Sequence, residues 1–149
     1  MTTLEGKRGG AKVGRFSVEL ELSNHEDVIL AKKGVIPASQ IRRVTLLGLV
    51  DTGALRLVLP QRIVKALGLE PSGTVKVKYA DGRQAIRPTV DDVEVALLGR
   101  RSVFTASVEP RRQTALIGAL ILEDLDFLVD PLKMKLVPRD PKMIISEAE

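Results

Sequence analysis

A small barrel dominated by β-strands is the fold class this sequence predicts, and three observations lead there. Apolar and polar residues alternate with period two in several separate stretches, the pattern of strands with one wet face. With only three Phe, one Tyr and no Trp, the core has to be built from Val, Leu and Ile, which suit strands and short helices. Two segments, Leu49 to Leu67 and Ala115 to Leu125, repeat one order: strand, glycine-bearing turn, short apolar helix. That order fits two related halves of a barrel better than a solenoid, which needs a fixed period.

At 149 residues and 44% hydrophobic, the chain is one domain with room for a sizeable core. The absence of cysteine excludes disulfide scaffolds, thiol nucleophiles, zinc fingers and iron–sulfur ligation. A single histidine, His25, cannot build a multi-histidine metal site, and no Gly-x-Ser-x-Gly accompanies it, so a Ser-His-Asp triad is discarded. No metal and no cofactor are expected. The net charge is +4, with Lys7, Arg8, Lys12 and Arg15 crowded at the start. Residues 1–14 therefore read as a flexible basic arm, residues 15–141 as the folded domain and 142–149 as a tail. The basic start lacks the apolar run of a signal peptide, and no stretch reaches transmembrane length. A cytoplasmic protein without a membrane partner is the expectation.

Order begins at Arg15. Phe16, Val18, Leu20 and Leu22 alternate with polar residues and predict a strand. Ser23 with Glu26 three residues on resembles a capping box, and Gly34 supplies a stop, which predicts a helix from about Asn24 to Lys33. Ile41 to Val50 reads as a strand buried on both faces. Arg56 to Leu59 is a further strand, Pro60 opens a helix carrying Ile63, Val64 and Leu67, and Gly68 closes it. Val75, Val77 and Tyr79 lead into a hairpin turn at Asp81-Gly82. Strands over Val90 to Leu98 and Ser102 to Val108 follow, joined by a turn at Gly99-Arg100-Arg101. Thr114 to Gly118 is an apolar strand ending in glycine, then comes the short helix Ala119 to Leu125, then a strand pair over Phe127 to Asp130 and Met134 to Val137. Met143-Ile144-Ile145 forms an apolar island in the tail that wants a partner surface.

The chemistry is concentrated in Val44 to Ala54, V-T-L-L-G-L-V-D-T-G-A, an apolar strand running into a carboxylate. A carboxylate at such an exit is costly unless it is used. Asp-Thr-Gly alone occurs by chance in roughly a few per cent of chains this long, so its flanks must decide. With the apolar lead into Asp51-Thr52-Gly53-Ala54, the helix after Pro60, the hairpin at Tyr79 to Gln84, and Leu116-Ile117 before Gly118, the chain resembles the retropepsin-like aspartic proteases, half-size relatives of pepsin. The resemblance spans about residues 15 to 138, and the chain looks like a prokaryotic, single-motif member.

That resemblance implies a closed, all-β dominated barrel of the half-pepsin type with two or three short helices, acting as a homodimer in which Asp51 meets its symmetry mate. It implies an aspartic endopeptidase that cuts an extended polypeptide through an activated water, with Asp51 catalytic. Thr52, Gly53, Ala54 and Gly118 would support the active-site loop, and Tyr79, Ala80, Asp81, Gly82 and Arg83 would form a flap over the substrate. The sequence departs from the viral pattern at Leu55, Arg56 and Ala119, where an acid–arginine arrangement is usual, so substrate grip must differ. Two rivals stand beside this reading. One is a non-catalytic dimer module that binds peptides or proteins. The other is a basic nucleic-acid-binding β protein using its arm with Arg100, Arg101, Arg111 and Arg112, disfavoured by the scarcity of aromatics and the interspersed acids. The segment Ser23 to Gln40 would cover the barrel or extend the dimer contact.

Overall fold

The computed structural model describes residues 15–142, and its first strand already sets the architecture. Strand β1 (Phe16–Asn24) runs antiparallel to β2 (Arg43–Val50), with Phe16 opposite Val50 and Leu20 opposite Leu46. Strand β3 (Leu57–Pro60), β4 (Pro71–Lys78), β5 (Gln84–Leu97), β6 (Arg100–Glu109) and β7 (Ala115–Ile117) complete one sheet. Its order is β1-β2-β7-β3-β6-β5-β4, and a further β1–β5 pairing closes six of these strands into a barrel with β4 outside. Closure removes the free edges of those six strands and leaves an edge on β4. Helices α1 (His25–Lys32), α2 (Gln61–Ala66) and α3 (Ala119–Leu125) decorate it, and β8 (Phe127–Asp130) pairs with β9 (Lys135–Pro138) as a separate hairpin.

The barrel interior is aliphatic, as the composition requires. Leu20, Leu22, Val50, Leu57, Leu59 and Ile117 are almost wholly enclosed. Each such side chain contributes about 1.5–3 kcal/mol of burial. Strand β2 corrects the expectation of burial on both faces: Leu47 is 54% exposed, because no second layer among the described residues covers it. It also starts at Arg43 rather than Ile41.

A bulge decides how β5 serves two purposes. The expected strand began at Val90, but β5 is continuous from Gln84, and its register with β6 shifts between Val90 and Val93, where Asp92 has φ of 62°. The extra residue bends the strand, so its first half pairs with β4 while its second half pairs with β1. Pro88 is tolerated because it is opposite Thr74 of β4 and precedes the pairing with β6.

Two other local readings are corrected. The first helix is capped by Asn24, whose side chain accepts from Asp27 N at 3.1 Å, while Ser23 is still in β1 opposite Arg43; the cap therefore lies one residue later than the Ser23/Glu26 box. The β5–β6 turn is Leu98-Gly99, with φ of 49° and 84°, the left-handed pair that a two-residue hairpin demands. Arg100 and Arg101 belong to β6, and Arg100 is buried, donating to Leu125 O and Asp126 O at 2.8 Å each and lying over the Phe127 ring. Arg100 thus ties the end of α3 to the barrel instead of offering a cation to nucleic acid. The basic arm and Met143-Ile144-Ile145 lie outside the described residues.

Candidate active site

Strand β2 delivers Asp51 to a loop that is fastened on both sides. Val50 is enclosed, Asp51 N donates to Ile117 O at 3.0 Å, and Ala54 N donates back to Asp51 O at 3.0 Å. The two parallel neighbours β2 and β7 therefore end together, with Val50 beside Ile117. Beyond β7, Ala119 N donates to Ala54 O at 2.9 Å and Leu120 N to Leu55 O at 3.0 Å. Gly118 makes this stacking possible. A β-carbon there would lie 2.5 Å from Leu55 C and 2.6 Å from Arg56 O, both backbone atoms that cannot swing away.

Both oxygens of the Asp51 carboxylate are held. Gly53 N donates to Oδ1 at 2.9 Å, and Arg15 Nη2 donates to Oδ2 at 2.8 Å. The side chain is 14% exposed, whereas Thr52 and Gly53 lie open at the surface and Ala54 is half-buried. A partly enclosed carboxylate at the mouth of a fixed loop can act on a molecule that reaches the barrel surface.

The hairpin over Tyr79 to Arg83 closes as a tight turn. Tyr79 N donates to Arg83 O at 2.8 Å, Arg83 Nε to Asp81 Oδ2 at 2.7 Å, and the Arg83 guanidinium lies 4.8 Å from the Tyr79 ring centre. Gly82 is exposed with φ of 88°, and Ala80 is exposed as well. The base of the turn is tied to the end of β6: Tyr79 OH donates to Glu109 Oε2 at 2.7 Å, and Arg87 Nε donates to Glu109 Oε1 at 3.0 Å. Burial, reinforced by the bond to Glu109, raises the Tyr79 hydroxyl above its ordinary pKa.

Glu109 opens the link Pro110 to Thr114 into β7, and that link carries Arg112. Its Nε donates to Thr114 O at 2.9 Å. Burial pushes the Arg112 guanidinium down from its ordinary range, against the opposing fields of Glu109 and Asp51 and with that of Arg15. The structure thus joins Asp51, Gly53, Ala54 and Gly118 in one bonded unit, and connects the hairpin to Glu109 through Tyr79. Sequence reasoning did not single out Arg15 or Arg112 at this position, nor Glu109. A signal for Arg15 existed: it directly precedes Phe16, whose partner in an antiparallel β1–β2 pair is Val50, the residue before Asp51.

A profile of the family described as gag-polyprotein putative aspartyl protease matches residues 38–124. The chain belongs to that aspartyl protease family. The match includes the Asp51 loop, the Tyr79 hairpin and Gly118, and leaves Arg15 and α1 outside it. Among solved structures, the gag-type protease domain is similar to the solution structure of the Simian Foamy Virus (mac) protease, with 16% identity over 72% of this chain and 91% of that one and a TM-score of 0.46. It is also similar to the foamy viral protease-reverse transcriptase in complex with an RNA/DNA hybrid, with 20% identity over 52% of this chain, 10% of that one, and a TM-score of 0.44. No curated protein matches the chain. No described helix is long and apolar enough to cross a membrane.

Proposed function

We propose that this aspartyl protease family member is an active endopeptidase, completed when two copies bring their Asp51 carboxylates together across a two-fold axis. The observation that carries this reading is the Asp51 loop: one carboxylate, its Oδ1 fixed by Gly53 N, on a loop locked to the Gly118 junction. Each chain supplies one Asp-Thr-Gly motif. An aspartic site needs two carboxylates about 3 Å apart, which cannot both ionise and so share a proton. The unprotonated member accepts a proton from water as the water attacks the scissile carbonyl, and the protonated member donates to the carbonyl oxygen. No covalent intermediate forms, and the titration belongs to the pair.

In this reading the working domain is residues 15–141. Thr52, exposed beside Asp51, meets the second copy; Gly53 and Ala54 keep the cleft floor small, and Gly118 seats the loop. Tyr79 to Arg83 closes over an extended polypeptide and excludes water. Closed two-fold pairing is the commonest oligomeric arrangement. Leu47, exposed on β2, and Leu55, 57% exposed, supply apolar area for a partner or substrate.

A non-catalytic peptide-binding module is the second reading, and one observation favours it: Arg15 occupies Asp51 Oδ2, the oxygen a water would need. The two separate on hydrolysis of an unbiased peptide mixture. Cutting by the native protein that disappears in Asp51→Asn supports the protease; cutting that survives Asp51→Asn contradicts the assigned chemistry, and binding without cutting supports the module.

A further inference from the structure

Arg112 is half-buried and fixed, yet its charge has no carboxylate of its own. Its Nε is taken by Thr114 O, which pins the side chain against the start of β7 and leaves the terminal nitrogens of the fork available. The two carboxylates whose fields it feels are committed elsewhere. Glu109 is bonded by Tyr79 OH and Arg87 Nε, and Asp51 by Gly53 N and Arg15 Nη2. Among the described residues, no carboxylate makes an ion pair with Arg112. Positive charge accumulates on the same link: Arg111 is exposed beside it, and Arg62 Nη2 donates to Gln113 O at 2.7 Å.

A desolvated cation held without a counter-ion is costly, and the cost is recovered when an anion arrives. The guanidinium fork matches a planar carboxylate in two parallel hydrogen bonds. We propose that Arg112 is a specificity-determining residue that selects substrates with an Asp or Glu side chain close to the scissile bond. The inference rests on the protease reading and adds the substrate class. Position supports it: the Arg112 link leads directly into Ala115–Ile117, the strand that holds Asp51 N, and the guanidinium is close enough to Asp51 to feel its field, so it shares the end of the barrel that carries the aspartate. Arg15 already has a partner in Asp51, which leaves Arg112 as the resident cation for an incoming acid.

The test sequences cleavage sites from an unbiased peptide library, with the native protein, Arg112→Gln and Arg112→Lys. The native protein is expected to enrich Asp or Glu over Asn or Gln beside the cut by about tenfold, the scale of a charge-assisted contact. Arg112→Gln should erase that enrichment and Arg112→Lys should restore part of it, since lysine keeps the charge and loses the fork. Enrichment absent from the native protein, unchanged in Arg112→Gln, or replaced by an equal fall on every peptide overturns the proposal. If the native protein cuts nothing, the hydrolytic reading fails separately. Fluorescence anisotropy with two labelled peptides that differ only in a central Glu or Gln then decides Arg112: tighter native binding of the Glu peptide, lost in Arg112→Gln, upholds it, and equal binding overturns it.

Discussion

Arg15 and Asp51 form a direct ion pair, Nη2 to Oδ2 at 2.8 Å, at the mouth of the barrel. The register of β1 against β2 produces it, because Phe16 opposite Val50 leaves the preceding arginine next to the following aspartate. Oδ1 is meanwhile anchored by Gly53 N, so the free end of the carboxylate is the end that Arg15 covers. Arg15 is 40% exposed, and an exposed pair of this kind contributes at most about 1 kcal/mol.

Substituting Arg15→Gln should therefore leave the unfolding midpoint nearly unchanged while freeing Oδ2. The expected outcome is a several-fold rise in kcat/KM on a peptide substrate, measured beside a urea titration of both proteins. A fall in kcat/KM at equal stability would mean that Arg15 assists the site instead of competing for it.

Gly118→Ala should be costly for a purely steric reason. The added methyl meets Leu55 and Arg56 backbone at 2.5–2.7 Å, and relief requires moving the loop that carries Asp51. The expected loss is about 1–3 kcal/mol in urea unfolding, with activity reduced further than stability explains. Gly73→Ala is the control, since its nearest atom is Thr89 Oγ1 at 3.4 Å, an ordinary contact.

Asp27 and Arg42 fix the entry to β2 at the other end of the barrel. Arg42 Nε and Nη2 reach the two Asp27 oxygens at 2.8 and 3.0 Å, and Arg42 N adds a third bond at 3.0 Å. These bonds hold the Asp27 carboxyl below its ordinary 3.8 despite its burial. A lowered folded-state value means the stabilisation is fully present above pH 3.8 and fades as pH falls through the lower value. Asp27→Asn should cost about 1–3 kcal/mol at neutral pH. The gap between native and variant unfolding curves should narrow below about pH 4.

Tyr79→Phe removes the hydroxyl that ties the hairpin to Glu109 and Arg87. Faster amide hydrogen exchange over residues 79–83, with exchange in β1 and β2 unchanged, is the expected signature. The raised Tyr79 value favours the neutral hydroxyl, so its contribution is complete below pH 10 and fades above it. The variant should lack that alkaline component.

Much of the barrel was legible because alternation survives in single strands. Phe16 to Leu22, the Tyr79 hairpin and the strand-to-helix junction at Gly118 all lie where local pattern placed them. What escaped was set by non-local pairing. The continuity of β5 through Pro88 depends on β4 lying on one side and a bulge at Asp92, and Leu47 is exposed because no described residue covers it. The Asp51 loop was visible as a motif, whereas Arg15, Glu109 and Arg112 converge from positions 36 to 61 residues away in sequence from the aspartate, and only the closed sheet brings Arg15 to its carboxylate.

The central claim is that two Asp51 carboxylates, one from each chain, make one site. Titrating Asp51→Asn protein into a fixed amount of native protein, with peptide hydrolysis as the readout, tests it most directly. The account predicts that activity per native chain falls as mixed dimers form, approaching zero at large excess of the variant. Activity that stays proportional to native chain, however much Asp51→Asn is added, would show a site complete within one chain and contradict it.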